Sequence, residues 1–242
     1  LVHHLIDTGA CATLLLKKSF KSSCEKISQC LFLSTEETVS LVSYVAALHD
    51  LGKCHPSFQV MCKEKDVDLY NALKDPLHLS DVVREQFRHE QYSMIALKRI
   101  WNADDFASPE AIEELIVTVG LHHQGKNGTG KEMAKAFKPI YFPIQDNLEK
   151  RIKSLFLKNV KITDCTDWSA TSILIEGIII CSDWIASSHG FDDIEATNDK
   201  EYLGKAMEIA RITLGNIGIV ETGLPKISDM NSLYPFISKN NA

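Results

Sequence analysis

No two of the seven cysteines stand as a CxxC pair, which excludes zinc-ribbon and thioredoxin-like chemistry. They fall at 11, 24, 30, 54, 62, 165 and 181, an odd number at irregular spacing. That usage reads as reduced thiols in a cytoplasmic protein. An excess of basic charge is also missing. The 26 Lys+Arg against 32 Asp+Glu leave a net charge of −6, so a basic coat for wrapping nucleic acid is excluded and any such contact must be local. A basic segment before the opening apolar run is absent, and His3, His4 and Asp7 interrupt that run, so no signal peptide is expected. The most apolar stretch, 172–186, carries Glu176 and Asp183. It reads as a buried helix, too short and polar for a bilayer span, and no membrane partner is expected. Alternating strand patterns are scarce; only 141–144 and 160–162 are β-prone. No internal repeat of about 20–50 residues is present.

What remains is a chain of 242 residues, 45% hydrophobic and 24% charged, large enough to bury a sizeable core. Its periodicity is helical, and the fold class is all-α. Ser34 and Glu37 form a capping-box pattern ahead of Val39, Leu41, Val42, Val45 and Leu48, with Gly52 as the stop signal. A second helix is expected from about Ser80 to Trp101. A third opens on Ser108-Pro109 and ends before Gly125. Further helices are expected over 2–18, 145–158, 168–188 and 199–214, with loops near 19–35, 53–79, 124–143 and 189–198. Residues 1–220 are expected to form one domain. Residues 221–242, rich in Gly, Pro, Asn and Ser, are expected to be a linker leaving it.

The chemistry concentrates in histidines and aspartates at helix ends. His49-Asp50 closes a strongly apolar helix, His122-His123 closes another, His89 lies in a third and His4 opens the first. Any one of these is most simply a surface or hydrogen-bonded histidine. Asp183 is different: flanked by Ile178, Ile179, Ile180, Trp184 and Ile185, a buried carboxylate needs a cation, a metal or strong donors. Adjacent residues on a helix diverge by about 100°, so His49-Asp50 and His122-His123 can each feed two neighbouring sites. Imidazole and carboxylate without thiolate suit Mn, Fe, Co, Ni or Zn. Inward residues from several helices can build a dinuclear core site. Two metals about 3.5–4 Å apart can activate water for a phosphoryl displacement. Asp50 can bridge them, and Lys53 can reach the phosphate.

The ordered set His4-Leu5-Ile6-Asp7, Ala47-Leu48-His49-Asp50-Leu51-Gly52-Lys53 with Phe58-Gln59, His89, His122-His123, and Ser182-Asp183-Trp184-Ile185-Ala186-Ser187 resembles the HD superfamily of metal-dependent phosphohydrolases. Within it, the set is similar to the HD nuclease domain of the CRISPR-associated type I helicase-nuclease, over about residues 1–190. The resemblance implies a helical bundle with a metal centre in its core. It implies one divalent transition metal held by His4, His49, Asp50 and Asp183, and a second held by His89, His122 and His123 with Asp50 shared. Mn, Fe, Co or Ni are expected ahead of Zn or Mg. It further implies hydrolysis of single-stranded DNA presented by an RNA-guided surveillance complex. Asp50 and Lys53 are the expected catalytic residues; Lys53, Lys126 and Ser187 are the expected substrate contacts. A helicase portion usually follows in the family, and Leu233-Tyr234-Pro235-Phe236 looks like its lead-in. Ser182 and Ser188 depart from the family pattern, which has Ala and Asn there.

Other signals carry less. Residues 125–132 nearly match a phosphate-binding loop, but Glu132 replaces the required Ser or Thr and a helix precedes it. Lys126, Lys131, Lys135 and Lys138 form either a phosphate-attracting rim or a solvated loop. Lys150, Arg151, Lys153, Lys158 and Lys161 read mainly as an exposed helix face. His3 competes with His4 as a ligand, and His55, His78 and His189 read as surface residues. Trp184 is expected to pack behind Asp183, with base stacking as the lesser reading. Two rival functions stand beside the nuclease: an HD phosphohydrolase acting on nucleotides or cyclic nucleotides, and a docking module without catalysis.

Overall fold

The computed structural model describes residues 1–76, 78–81, 88–102, 106–123, 141–188, 190–191 and 194–219. Their architecture is all-α. The helices are α1 Val2–Lys17, α2 Lys21–Leu31, α3 Thr35–Ala47, the short α4 Pro56–Gln59, α5 Cys62–Lys65 and α6 Val67–Leu73, then α7 His89–Trp101, α8 Pro109–Leu121, α9 Phe142–Phe156, α10 Trp168–Ala186 and α11 Asp199–Asn216. Among the described residues the only extended pairing is an isolated parallel bridge between Ala107 and Ile162. The linker expected over 221–242, with Leu233–Phe236, and Lys126 in its loop lie outside the described residues.

Helix α1 occupies the centre. α3, α10 and α11 all pack on it, and every side chain from Leu5 to Ala12 is buried. Over that buried stretch there is no water to satisfy polar groups, and Thr8 and Asp7 find partners inside the protein. The Thr8 hydroxyl donates to the His4 carbonyl at 2.9 Å, and Asp7 Oδ2 accepts from the Tyr202 hydroxyl at 3.2 Å. Helix α3 starts on the expected capping box: Ser34 Oγ accepts from Glu37 N–H at 3.2 Å, while Glu37 Oε2 accepts from Ser34 N–H at 2.8 Å. Ser108, Asp167 and Asn198 cap α8, α10 and α11 by the first half of that exchange alone, each side chain accepting from the N–H three residues on.

Several expected boundaries are corrected. Residues 19–35 contain α2, whose buried face is built from Cys24, Ile27, Ser28, Cys30 and Leu31. Cysteines there do the work of small apolar side chains, a weak periodic signal. Residues 53–79 hold α4 to α6. Helix α3 stops at Ala47, so His49 and Asp50 lie in a turn that leads into a 3₁₀ turn, Leu51–Cys54. Gly52 is not a left-handed cap. It is required by close approach: a Cβ there would lie 2.0 Å from the His89 carbonyl oxygen and 2.5 Å from the Ser93 nitrogen. Helix α7 begins at His89 rather than at Ser80, and the β-prone 141–144 is the start of α9. By length and composition α10 is sufficient to cross a membrane, contrary to the sequence expectation. In the fold it packs against α1, α2, α3, α8 and α11.

Candidate metal centre

Three structural devices bring the distant residues together. The turn after α3 is pinned to α7: Gly52 N–H donates to Ser93 Oγ at 2.8 Å, and Ser93 Oγ donates to the His89 carbonyl at 3.2 Å. Gln59 ties the next segment down, its Nε2 donating to the Lys53 carbonyl at 2.6 Å. The ends of α8 and α10 then deliver His122, His123 and Asp183, while the first turn of α1 delivers His4.

Two groups of ligand-type atoms result. His4, His49, Asp50 and Asp183 place one atom each within 4.8 Å of one another, as do His89, His122 and His123. Asp50 links them. Its Oδ2 lies 3.3 Å from Nε2 of both His4 and His49, and its Oδ1 lies 2.9 Å from His89 Nε2 and 3.8 Å from His122 Nε2. Asp183 Oδ1 closes the first group at 3.2 Å from His4 Nε2 and 3.4 Å from His49 Nε2. His123 Nε2 stands 3.0 Å from His89 Nε2 in the second.

The donor chemistry fits divalent ions. His4 Nε2, His49 Nε2, His122 Nε2 and Asp50 Oδ1 are buried and make no hydrogen bond. Buried polar atoms rarely go unpaired, and here imidazole nitrogens and carboxylate oxygens crowd together in two groups without completing hydrogen bonds. The rings are also aimed. His49 Nδ1 faces the Ala46 carbonyl at 2.8 Å and His122 Nδ1 the Val119 carbonyl at 2.6 Å, which turns each Nε2 toward the centre. Charge is divided unequally. Burial would raise both acids, but the facing histidines outweigh it and hold Asp50 and Asp183 well below the usual carboxylate range. Burial opposes protonation of His49 and His4, yet the two acids overcome it; His49 is carried up to about 9 and His4 upward. Burial, reinforced by His49, pushes His122 down to about 3, and burial with the His89 charge lowers His123.

The remaining expected residues divide as follows. The Lys53 ammonium pairs with Asp50 Oδ2 and stays partly exposed. Ser187 Oγ donates to Asp183 Oδ1 at 3.3 Å, so it touches a candidate ligand. His3 leaves the centre and stacks on Tyr202, ring centroids 4.1 Å apart. His55 is buried, not superficial: its Nδ1 accepts from Ser57 N–H and its ring stacks on Tyr92 at 4.1 Å. His78 is exposed and His189 lies outside the described residues. Trp184 does not pack behind Asp183; it is 72% exposed, because it points away from the face of α10 that meets α1. Ser182 and Ser188 spend their hydroxyls on the Ile178 and Ile185 carbonyls, both at 2.6 Å. The Cys54 thiol is buried and pushed up to about 12, which fits no nucleophile. Arg151 is engaged by both oxygens of Asp199, at 2.6 and 2.7 Å. Residues the sequence did not single out are Ser93, which pins α7, and Glu90, a buried carboxylate beside His89. The signal for Glu90 was its adjacency to His89 alone.

The family model for the Cas3 HD domain matches residues 1–191. This chain belongs to the Cas3 HD domain family. A curated relative, the CRISPR-associated endonuclease/helicase Cas3 of Thermus thermophilus, is 23% identical over 254 residues, a match that takes in 100% of this chain and 27% of that relative. A crystal structure of the Thermus thermophilus Cas3 HD domain in the presence of Ni²⁺ aligns with a TM-score of 0.69 at 18% identity, covering 90% of this chain and 84% of that one. A chain described as a CRISPR RNA-guided surveillance complex, pre-nicking, aligns at 0.66 with 18% identity, covering 90% of this chain and 27% of that one. At these identities the structural matches establish the helical HD fold; the chain spans about a quarter of the full-length relative.

Proposed function

We propose that the chain is a metal-dependent nuclease that hydrolyses phosphodiester bonds of single-stranded DNA, acting beside a helicase portion and an RNA-guided surveillance complex in CRISPR interference. The observation that carries the reading is Asp50, whose two oxygens face two different sets of histidine nitrogens. His4, His49, Asp50 and Asp183 would hold one ion; His89, His122 and His123, sharing Asp50, would hold the other. Two bound divalent ions, from Mn, Fe, Co or Ni, would supply a water of lowered pKa and neutralise charge on the phosphate. The chain's own groups do the rest. His49 and His122, aimed by backbone carbonyls, present Nε2 without rotational search. Lys53 stands at the open side of Asp50, where its ammonium can meet a phosphate oxygen as charge builds on it. The exposed Trp184 ring next to Asp183 offers a stacking face to an unpaired base, which supports a single-stranded substrate. The relatives' names, endonuclease/helicase and surveillance complex, support the partners. The free cysteines support a reducing, cytoplasmic setting.

The test is cleavage of a circular single strand with Mn²⁺ or Ni²⁺ by the chain and by Asp50→Ala. Cleavage should fall to background in the variant. Undiminished cleavage there would refute the reading, and phosphate release from nucleotides without strand cleavage would replace the nuclease by a nucleotide hydrolase.

A further inference from the structure

Glu90 is the second residue of α7, and its side chain is only 3% exposed. Neither of its carboxylate oxygens makes a hydrogen bond. Burying such a group is unfavourable unless a cation or donor faces it. Two groups do. The Arg88 guanidinium lies against Oε1, and His89 Nδ1 stands 3.7 Å from Oε2. The opposite nitrogen of the same ring, His89 Nε2, looks into the centre, 2.9 Å from Asp50 Oδ1. Arg88 also reaches across: its Nη2 donates to the His123 carbonyl at 3.3 Å.

The rings of the centre explain why a carboxylate is needed here. His49 and His122 follow helices, and each leans its Nδ1 on the carbonyl three residues back. His89 is the first residue of α7 and follows an extended Arg88, so its ring does not sit at the end of a helix as those two do. A side chain must take that part. We propose that Glu90 is the positioning residue for His89: it accepts a hydrogen bond from Nδ1–H as the ring turns toward an ion, leaving the Nε2 lone pair free, while Arg88 keeps Glu90 in place and ties it to His123. This rests on the two-ion reading above and assigns Glu90 to the ion held by the three histidines. A carboxylate behind a ligating imidazole fixes its tautomer and raises its basicity, and losing such a partner commonly weakens metal binding about 10–100-fold.

The test titrates the full chain, Glu90→Gln and Glu90→Ala with Mn²⁺ by calorimetry, and records the ring-nitrogen NMR correlations of His89 in the metal-free proteins. Expected are two binding events in the parent. One should be weakened about 10–100-fold in Glu90→Ala and less in Glu90→Gln, with the other unchanged. The share of His89 carrying its proton on Nδ1 should be larger in the parent than in Glu90→Ala, where Asp50 Oδ1, 2.9 Å from Nε2, holds the proton unopposed. Equal weakening of both events would mean a merely structural role and would overturn the assignment, as would unaltered binding with an unaltered tautomer. If the parent binds fewer than two ions, the two-ion reading fails, and the tautomer alone decides for or against Glu90. Should Glu90→Ala not fold, Glu90→Gln carries both readouts, with the smaller shift in affinity and tautomer expected.

Discussion

The two halves of the centre are built on opposite principles. The half formed by His4, His49, Asp50 and Asp183 is charged and anchored in the core: it hangs on the central α1, the turn after α3 and α10. The half formed by His89, His122 and His123 is all imidazole, sits at the start of α7 and the end of α8, and contains an exposed ring in His123. The first half brings two acids that the facing histidines hold ionised. The second has no acid among its ligand-type atoms and depends on Asp50 Oδ1. An ion in the first half therefore cancels buried charge, whereas an ion in the second is held by neutral donors and one shared oxygen. The lesson is that a single carboxylate makes the difference between two independent sites and one coupled centre.

Substitutions can break this comparison. The largest contrast is expected between Asp183→Ala and His123→Ala. The first should lose the ion of the charged half and keep the other; the second should do the reverse. Metal content near one ion per chain in each case, measured after desalting, is the expected result. Loss of both ions from either variant would show that the halves do not bind separately. Lys53→Ala sharpens a different edge. It removes a charge from the open side of Asp50 without removing a ligand, so metal content should hold while cleavage of a single strand falls about 10²-fold, a size typical of one lost charge-stabilising donor.

Metal removal separates the halves by pH. In the metal-free chain His49, raised to about 9, contributes stability that is full below its unfolded value near pH 6.5 and is lost as pH climbs through about 9. Asp50 and Asp183, both lowered, contribute stability that is full above about pH 4 and is lost as pH falls further. His122, pushed down to about 3, works the other way, its contribution full above about pH 6.5 and lost as pH falls below it, so the melting temperature of chelated protein should peak near pH 6.5. Added Mn²⁺ should raise it more at pH 8 than at pH 5, because ions and protons compete for the same nitrogens. A metal-free optimum at pH 8 would contradict the charge division. The smallest effect is expected for Trp184→Ala: affinity for a single strand should weaken by about 1–3 kcal/mol per stacked base, with metal content and melting temperature unchanged.

How far the sequence reached follows from which forces leave a local mark. Caps such as Ser34 and Ser108 sit next to the helices they start, so α3 and α8 were readable, while α11 showed through its periodicity alone. The residues that converge around Asp50 were readable through their order along the chain, which a resemblance could match. Long-range packing left no such mark. Gly52 looked like a stop signal, yet it answers to the backbone of α7, some 40 residues on. His55 looked superficial because its partner Tyr92 is equally remote. Trp184 looked buried because its neighbours in sequence are, although on a helix it takes the opposite face. Helix α2 escaped because cysteine and serine stood where leucine usually signals a buried face.

The central claim is that Asp50 joins two metal-binding halves. The most direct measurement is anomalous diffraction from crystals of the chain soaked in Mn²⁺. Two peaks are expected, one among His4, His49 and Asp183 and one among His89, His122 and His123, with a different oxygen of Asp50 nearest each. A single peak, or two peaks with Asp50 ligating neither or only one, would contradict the account.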